Sequence, residues 1–274
     1  MTDLNQTHGV AGLKKYDMKV SGIVFMIYCL VAAGAFGIEE MIPASGPGLT
    51  ILMLLIFPIV WALPISNMVA ELGAVLPSEG GAYVWVREAL GEFWGFQAGW
   101  WGTVSTYITN GVYVVLVVGY LERFVEMTEL QSYGVKFSMI LIFTVINLLG
   151  IKEVGRVSTI LSIIVLVAFT ALAVVGFANW HYNPIMPFIP EGQGLVESVG
   201  GCISICIWMY CGYECISNMA GEVENPQVIP RGLVIAMPLI AATYILPTVG
   251  GLASLGNWEN WAVAGEGSIG YSAV

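Results

Sequence analysis

The sequence predicts an α-helical integral membrane protein of about seven spanning helices, and three observations carry that prediction. Hydrophobic residues make up 57% of the chain and charged residues only 10%, with a mean hydropathy of +0.81, whereas soluble domains carry about 25% charged residues. The apolar residues fall in runs long enough to cross a hydrocarbon core about 30 Å thick, which takes about 20 helical residues. Those runs are continuously apolar and do not alternate, so they read as helices, each satisfying its own backbone hydrogen bonds, and not as barrel strands.

The spans run in order over Val20 to Met41, Leu49 to Ala70, Trp94 to Leu121, Val135 to Gly150, Val157 to Phe177, Val196 to Ala220 and Leu233 to Leu255. Residues 1–19 form a polar tail, 20–255 the membrane domain and 256–274 a loop. No small-residue cleavage site follows the first apolar run, so it is expected to act as its own insertion signal. Placing the amino terminus in the cytoplasm puts Lys14, Lys15, Lys19, Arg87, Lys152, Arg156 and Arg231 inside, with Arg123 and Lys136 outside. Seven of the nine basic residues then obey the positive-inside rule. The expected location is the cell membrane, with the 256–274 loop outside. Pro58 and Pro64 are expected to kink the second span, and Gly91, Gly95 and Gly99 form a small-residue packing row.

Several function classes are excluded or disfavoured by composition. The net charge is −10 and the basic residues are dispersed, so nucleic acid is not expected as a partner. The five cysteines (Cys29, Cys202, Cys206, Cys211, Cys215) lie inside apolar stretches and suit packing better than a disulfide framework or a metal. No metal or other cofactor is expected. His8 and His181 lie outside the spans, with no H-E-x-x-H or G-x-S-x-G motif, which argues against an enzyme. Rings of repeated charge, the usual mark of a channel, are not evident.

Two spans break the pattern by placing glycine and a carboxylate at membrane depth. The first reads V-A-A-G-A-F-G-I-E-E, with Gly34, Gly37, Glu39 and Glu40, and the sixth reads W-M-Y-C-G-Y-E, with Gly212 and Glu214. A charge there costs several kcal/mol unless paired, protonated or hydrated, so such residues are usually functional. The breaks are five helices apart, as in an inverted repeat of five helices. Interrupted helices in corresponding positions point to a transport site. Glu39 and Glu40 diverge by about 100° on a helix, so only one can face a given cavity, and Glu39, nearer the glycines, is favoured. Trp208, Tyr210 and Tyr213 precede Glu214 closely enough to share a cavity with it.

The segments A-G-A-F-G-I-E-E, A-E-L-G-A-V-L-P-S-E-G-G-A-Y-V-W-V and G-Y-E-C-I-S-N-M-A-G-E-V-E-N-P-Q-V-I-P-R-G resemble the amino acid-polyamine-organocation transporter superfamily. The resemblance covers about Val20 to Leu255 and is most specific from Gly212 to Arg231. With F-P-I-V-W-A-L-P and F-W-G-F-Q-A-G-W-W downstream, it is most similar to the polyamine permeases. It implies a leucine-transporter-like fold of two inverted five-helix repeats, helices 1 and 6 interrupted, of which the later helices are missing here. A fragment of a longer gene is therefore expected.

The implied function is a secondary active permease moving an amino acid or a polyamine by alternating access, coupled to a proton or to an exchanged substrate. The alternative is a nutrient-sensing or binding subunit without net transport. The substrate-binding residues would be Gly34, Ala35, Phe36, Gly37, Glu39, Trp208, Gly212, Tyr213 and Glu214. A cationic amine would require a carboxylate such as Glu39. An amino acid would instead place its own carboxylate on the N–H groups at Gly34 to Gly37 and Gly212 to Tyr213. Similarity to arginine/agmatine antiporters implies that Trp208 is an aromatic gate and Glu214 a proton-responsive group, with Glu39 a second candidate for proton coupling. The lysine that some proton-coupled members carry in the fifth span is absent between Val157 and Phe177.

Overall fold

A computed structural model describes residues 16–32, 37–76, 80–122, 124–225, 227–262 and 269–271. Among these, six helices are long and apolar enough to cross a membrane: Pro47–Val75, Glu92–Glu122, Glu129–Leu148, Ile151–Ala178, Leu195–Ala220 and Val228–Leu255. The remaining expected span, the first, is split into two shorter pieces, α1 (Val20–Val31) and α2 (Ile38–Ser45).

The second span starts as α3 (Pro47–Phe57), loosens into a π turn over Pro58–Ala62 and continues as α4 (Leu63–Val75). Pro58 and Pro64 each lack an N–H and would clash with the preceding turn. The ladder accommodates them by widening, with Leu63 N–H donating to the Pro58 carbonyl. A short α5 (Ala82–Leu90) leads into the long α6 (Glu92–Glu122) and α7 (Glu129–Leu148). Thr128 and Gln131 cap α7 reciprocally, side chain to backbone in both directions. Few residues of α6 and α7 are buried within the chain. Trp100, Trp101, Tyr107 and Phe137 are exposed, as suits helices whose solvent is lipid.

The core is built by α1, α8 (Ile151–Ala178) and α10 (Val228–Leu255). Their close approach depends on missing side chains. A Cβ at Gly176 of α8 would lie 2.7 Å from Gly250 Cα of α10, and one at Gly232 would meet Ile23 of α1. Ser162 on α8 adds a hydrogen bond to the Phe25 carbonyl of α1 at 3.1 Å. Between α8 and α9 (Leu195–Met209) the chain folds over the start of α3, where Leu49 N–H donates to Phe188 O at 2.8 Å.

The two interrupted spans lie side by side in opposite directions. Tyr16, just before α1, pairs through its backbone with Glu222 and Glu224 at the end of the 3₁₀ segment Tyr213–Glu222 that completes the sixth span. At the other end α2 packs on α9, with Cys206 Sγ 3.6 Å from Met41 Sδ. This antiparallel apposition brings the two interruptions together.

Candidate substrate-binding site

Each interruption is a glycine in the left-handed region followed two residues later by glutamate. Gly37 has φ +89° and Gly212 φ +103°, a conformation that L side chains rarely adopt. At both, the glutamate turns back on the break. Gly37 N–H donates to Glu39 Oε2 at 3.1 Å, and Gly212 N–H donates to Glu214 Oε2 at 3.2 Å. The same local device thus recurs in both spans, each carboxylate accepting from a backbone N–H at the start of the helical segment that follows the break.

A cavity of about 560 Å³ opens beside these breaks, within the range of about 300–1,000 Å³ typical of small-molecule sites. Its walls come from six helices and the segment after α10, including Tyr113, Tyr120, Phe169, Trp208, Tyr244 and Tyr271. Glu39 also lines it and is the one charged residue among the described lining residues. Glu39 is only 3% exposed, whereas Glu40 faces outward.

Trp208 closes the cavity against the first break. Its ring stacks on Tyr113 with centroids 5.9 Å apart and planes at 27°. A Cβ at Gly37 would come within 3.3 Å of that ring and press on it, while the backbone angle is what favours glycine there. Opposite, Tyr271 stands edge-on to Phe169 and to Trp261, and hydrogen-bonds Thr248 at 2.6 Å. Trp261 and Tyr271 are both buried, and Gly270 abuts the Glu39 side chain. The described part of the segment after α10 therefore packs into the molecule beside Glu39.

The expected site residues separate into groups. Gly37, Glu39 and Trp208 come together, Glu39 and Trp208 on the cavity wall. Gly212 sits against the Leu30 carbonyl of α1, where a Cβ would be 3.2 Å away. Tyr213 is fully buried and its hydroxyl has no partner among the described residues. Neither Gly212, Tyr213 nor Glu214 is among the residues lining the cavity; Glu214 is half-buried on the 3₁₀ segment beyond the break. Gly34, Ala35 and Phe36 lie outside the described residues. Sequence reasoning did not single out Tyr113, Tyr120, Tyr244 and Tyr271. A tyrosine in mid-span, such as Tyr244, is a weak signal, because its hydroxyl needs a partner at that depth.

Comparison with known proteins agrees with this architecture. The family model described as amino acid permease matches residues 19–272. A probable polyamine transporter of Arabidopsis thaliana is 32% identical over 243 residues, covering 85% of this chain and 47% of the relative. A polyamine transporter of Oryza sativa subsp. japonica is 30% identical over 251 residues, covering 87% and 45%. An uncharacterized transporter of Mycobacterium bovis is 27% identical over 242 residues, covering 86% and 52%. The chain spans about half the length of the curated relatives it matches. With that family matched across nearly all of the sequence and both interrupted spans in place, the chain belongs to the amino acid permease family of the amino acid-polyamine-organocation superfamily and is a multi-pass membrane protein.

Proposed function

We propose that the protein carries polyamines across the cell membrane by alternating access, with the amino-terminal tail in the cytoplasm and the 256–274 segment outside. The observation that carries this reading is the buried carboxylate of Glu39 in a cavity whose other described walls are aromatic and apolar. A cation entering that cavity finds one full countercharge and several ring faces, the two elements that hold an ammonium group away from water.

An amino acid would need backbone donors for its own carboxylate. Of the donors at the two breaks, those of Gly37 and Gly212 are already bonded to Glu39 and Glu214, which supports an amine over an amino acid. That relatives at 30% and 32% identity are named polyamine transporters supports the same choice. A proton couples transport through Glu39 or Glu214, whose carboxylates sit at the two hinges of the interrupted spans. A mobile proton at Glu39 would change the charge that the substrate meets, and one at Glu214 would act through the second break.

The test is uptake of labelled putrescine into proteoliposomes under an inward proton gradient, with spermidine, arginine, leucine and glutamate as unlabelled competitors. Accumulation that needs the gradient and yields to spermidine, but not to leucine or glutamate, is the expected result. Competition by leucine would move the protein to the amino-acid branch, and saturable binding without uptake would make it a sensor. In the same assay Trp208→Leu should raise the putrescine KM about 5-fold, through loss of a desolvated cation–π surface. An unchanged KM would remove Trp208 from the site.

A further inference from the structure

Tyr244 stands where the two interruptions meet. It is fully buried on α10, and its hydroxyl lies 3.0 Å from the carbonyl oxygen of Val31 and 3.0 Å from that of Met209. Val31 is the last residue of α1 and Met209 the last of α9. Both carbonyls are therefore at the negative ends of helices whose α-helical ladders stop there. Val31, Met209 and Tyr244 all line the cavity. A phenol has a single O–H to donate, so two acceptors share one proton.

We propose that the Tyr244 hydroxyl is a stand-in for a substrate ammonium group: it occupies the Val31 and Met209 carbonyls while the cavity is empty and yields them when the cation binds. The proposal rests on the polyamine reading above. An ammonium group brings three donors and a full positive charge, so it can satisfy both carbonyls where one O–H cannot. A diamine then has two anchors in one cavity, Glu39 for one end and the carbonyl pair for the other. The phenol also spares the empty site two bare carbonyls in apolar surroundings, which would be costly.

A placeholder has an unusual signature, because removing it should tighten binding. With Tyr244→Phe the ring still fills its space, but the ammonium no longer displaces a donor and relieves two unpaired carbonyls instead. A hydroxyl with a merely structural role would leave affinity unchanged or lower it. Thr243→Val is the control: it removes a neighbouring hydroxyl, the one that accepts from Tyr28 at 3.3 Å, without touching either carbonyl.

The experiment is calorimetric titration of the purified full chain with putrescine. Tyr244→Phe is expected to bind about 5-fold more tightly than wild type, the worth of one displaced hydrogen bond, with Thr243→Val unchanged. Incorporating 3-fluorotyrosine at position 244, a stronger donor on the same ring, should weaken binding, and this arm decides the matter if Tyr244→Phe does not survive purification. Equal or weaker binding by Tyr244→Phe, or equal or tighter binding by the fluorinated protein, overturns the proposal while leaving the polyamine reading in place. No binding of putrescine by wild type overturns that reading and the proposal with it.

Discussion

Glu39→Gln should weaken putrescine binding about 100-fold while leaving the fold intact. The amide is close to isosteric with the carboxylate, and its oxygen can still accept the Gly37 N–H that Glu39 Oε2 accepts at 3.1 Å. What disappears is the one full charge among the described cavity-lining residues. An ammonium that has left water for a site this buried has no other full countercharge there. Removing one partner of such a pair costs about 3 kcal/mol, which is about 100-fold in affinity. Titration with putrescine and a melting curve, taken together, check the assignment. A loss of binding below 10-fold, or a fall in melting temperature without a change in affinity, would make Glu39 a structural cap of α2 and nothing more. Glu214→Gln is the matched comparison. It stands in the equivalent device of the sixth span but does not line the cavity, so its affinity should change less than 3-fold, within the spread of an indirect effect.

Gly176→Ala is expected to be among the most damaging substitutions for stability, lowering it by about 3 kcal/mol, the upper range for overpacking a tight interface. The added Cβ would lie 2.7 Å from Gly250 Cα and closer still to that residue's carbonyl group. The obstacle is the backbone of a long helix, not the end of a flexible side chain, so relief requires the facing ends of α8 and α10 to move apart. That movement separates Phe169 on α8 from Tyr244 on α10, two walls of the cavity. Thermal melting in detergent reads the effect, with Gly102→Ala on α6 as the control, since a Cβ there meets no atom within 4 Å. Equal melting temperatures for the two variants would show that the helices can separate freely, contrary to the packing described.

Helical class and span positions were legible because both are local properties in a membrane. A spanning helix closes its own hydrogen bonds, so its presence is written in its own hydropathy. The interruptions were legible for a related reason. Glycine and glutamate together inside an apolar run mark a place where the backbone leaves the ladder, and Gly37 and Gly212 take up left-handed angles there. Choosing between Glu39 and Glu40 rested on nearness to the glycines. Their opposite environments, one buried and one exposed, follow from how α2 is rotated against its neighbours. Trp208 and Glu214 are six residues apart and would lie on neighbouring faces of an unbroken helix. The turn at Gly212 and the 3₁₀ segment after it redirect the chain between them, and Trp208 lines the cavity while Glu214 does not.

By itself, then, the sequence determined that this is a helical membrane protein, where its spans lie, which two are broken and which glycines break them. Each of those properties depends on a residue and its near neighbours along one chain segment. Only the tertiary structure decided which side chains share the cavity. Tyr113, Phe169, Tyr244 and Tyr271 sit on separate elements, and Tyr244 reaches carbonyls 213 and 35 residues distant in the chain. Such meetings depend on the rotation and approach of whole helices, set here by missing side chains at Gly176, Gly232 and Gly250. Lipid-facing and cavity-facing residues can be equally apolar, so hydropathy cannot tell one face of a buried helix from another. Contact across helices makes that distinction.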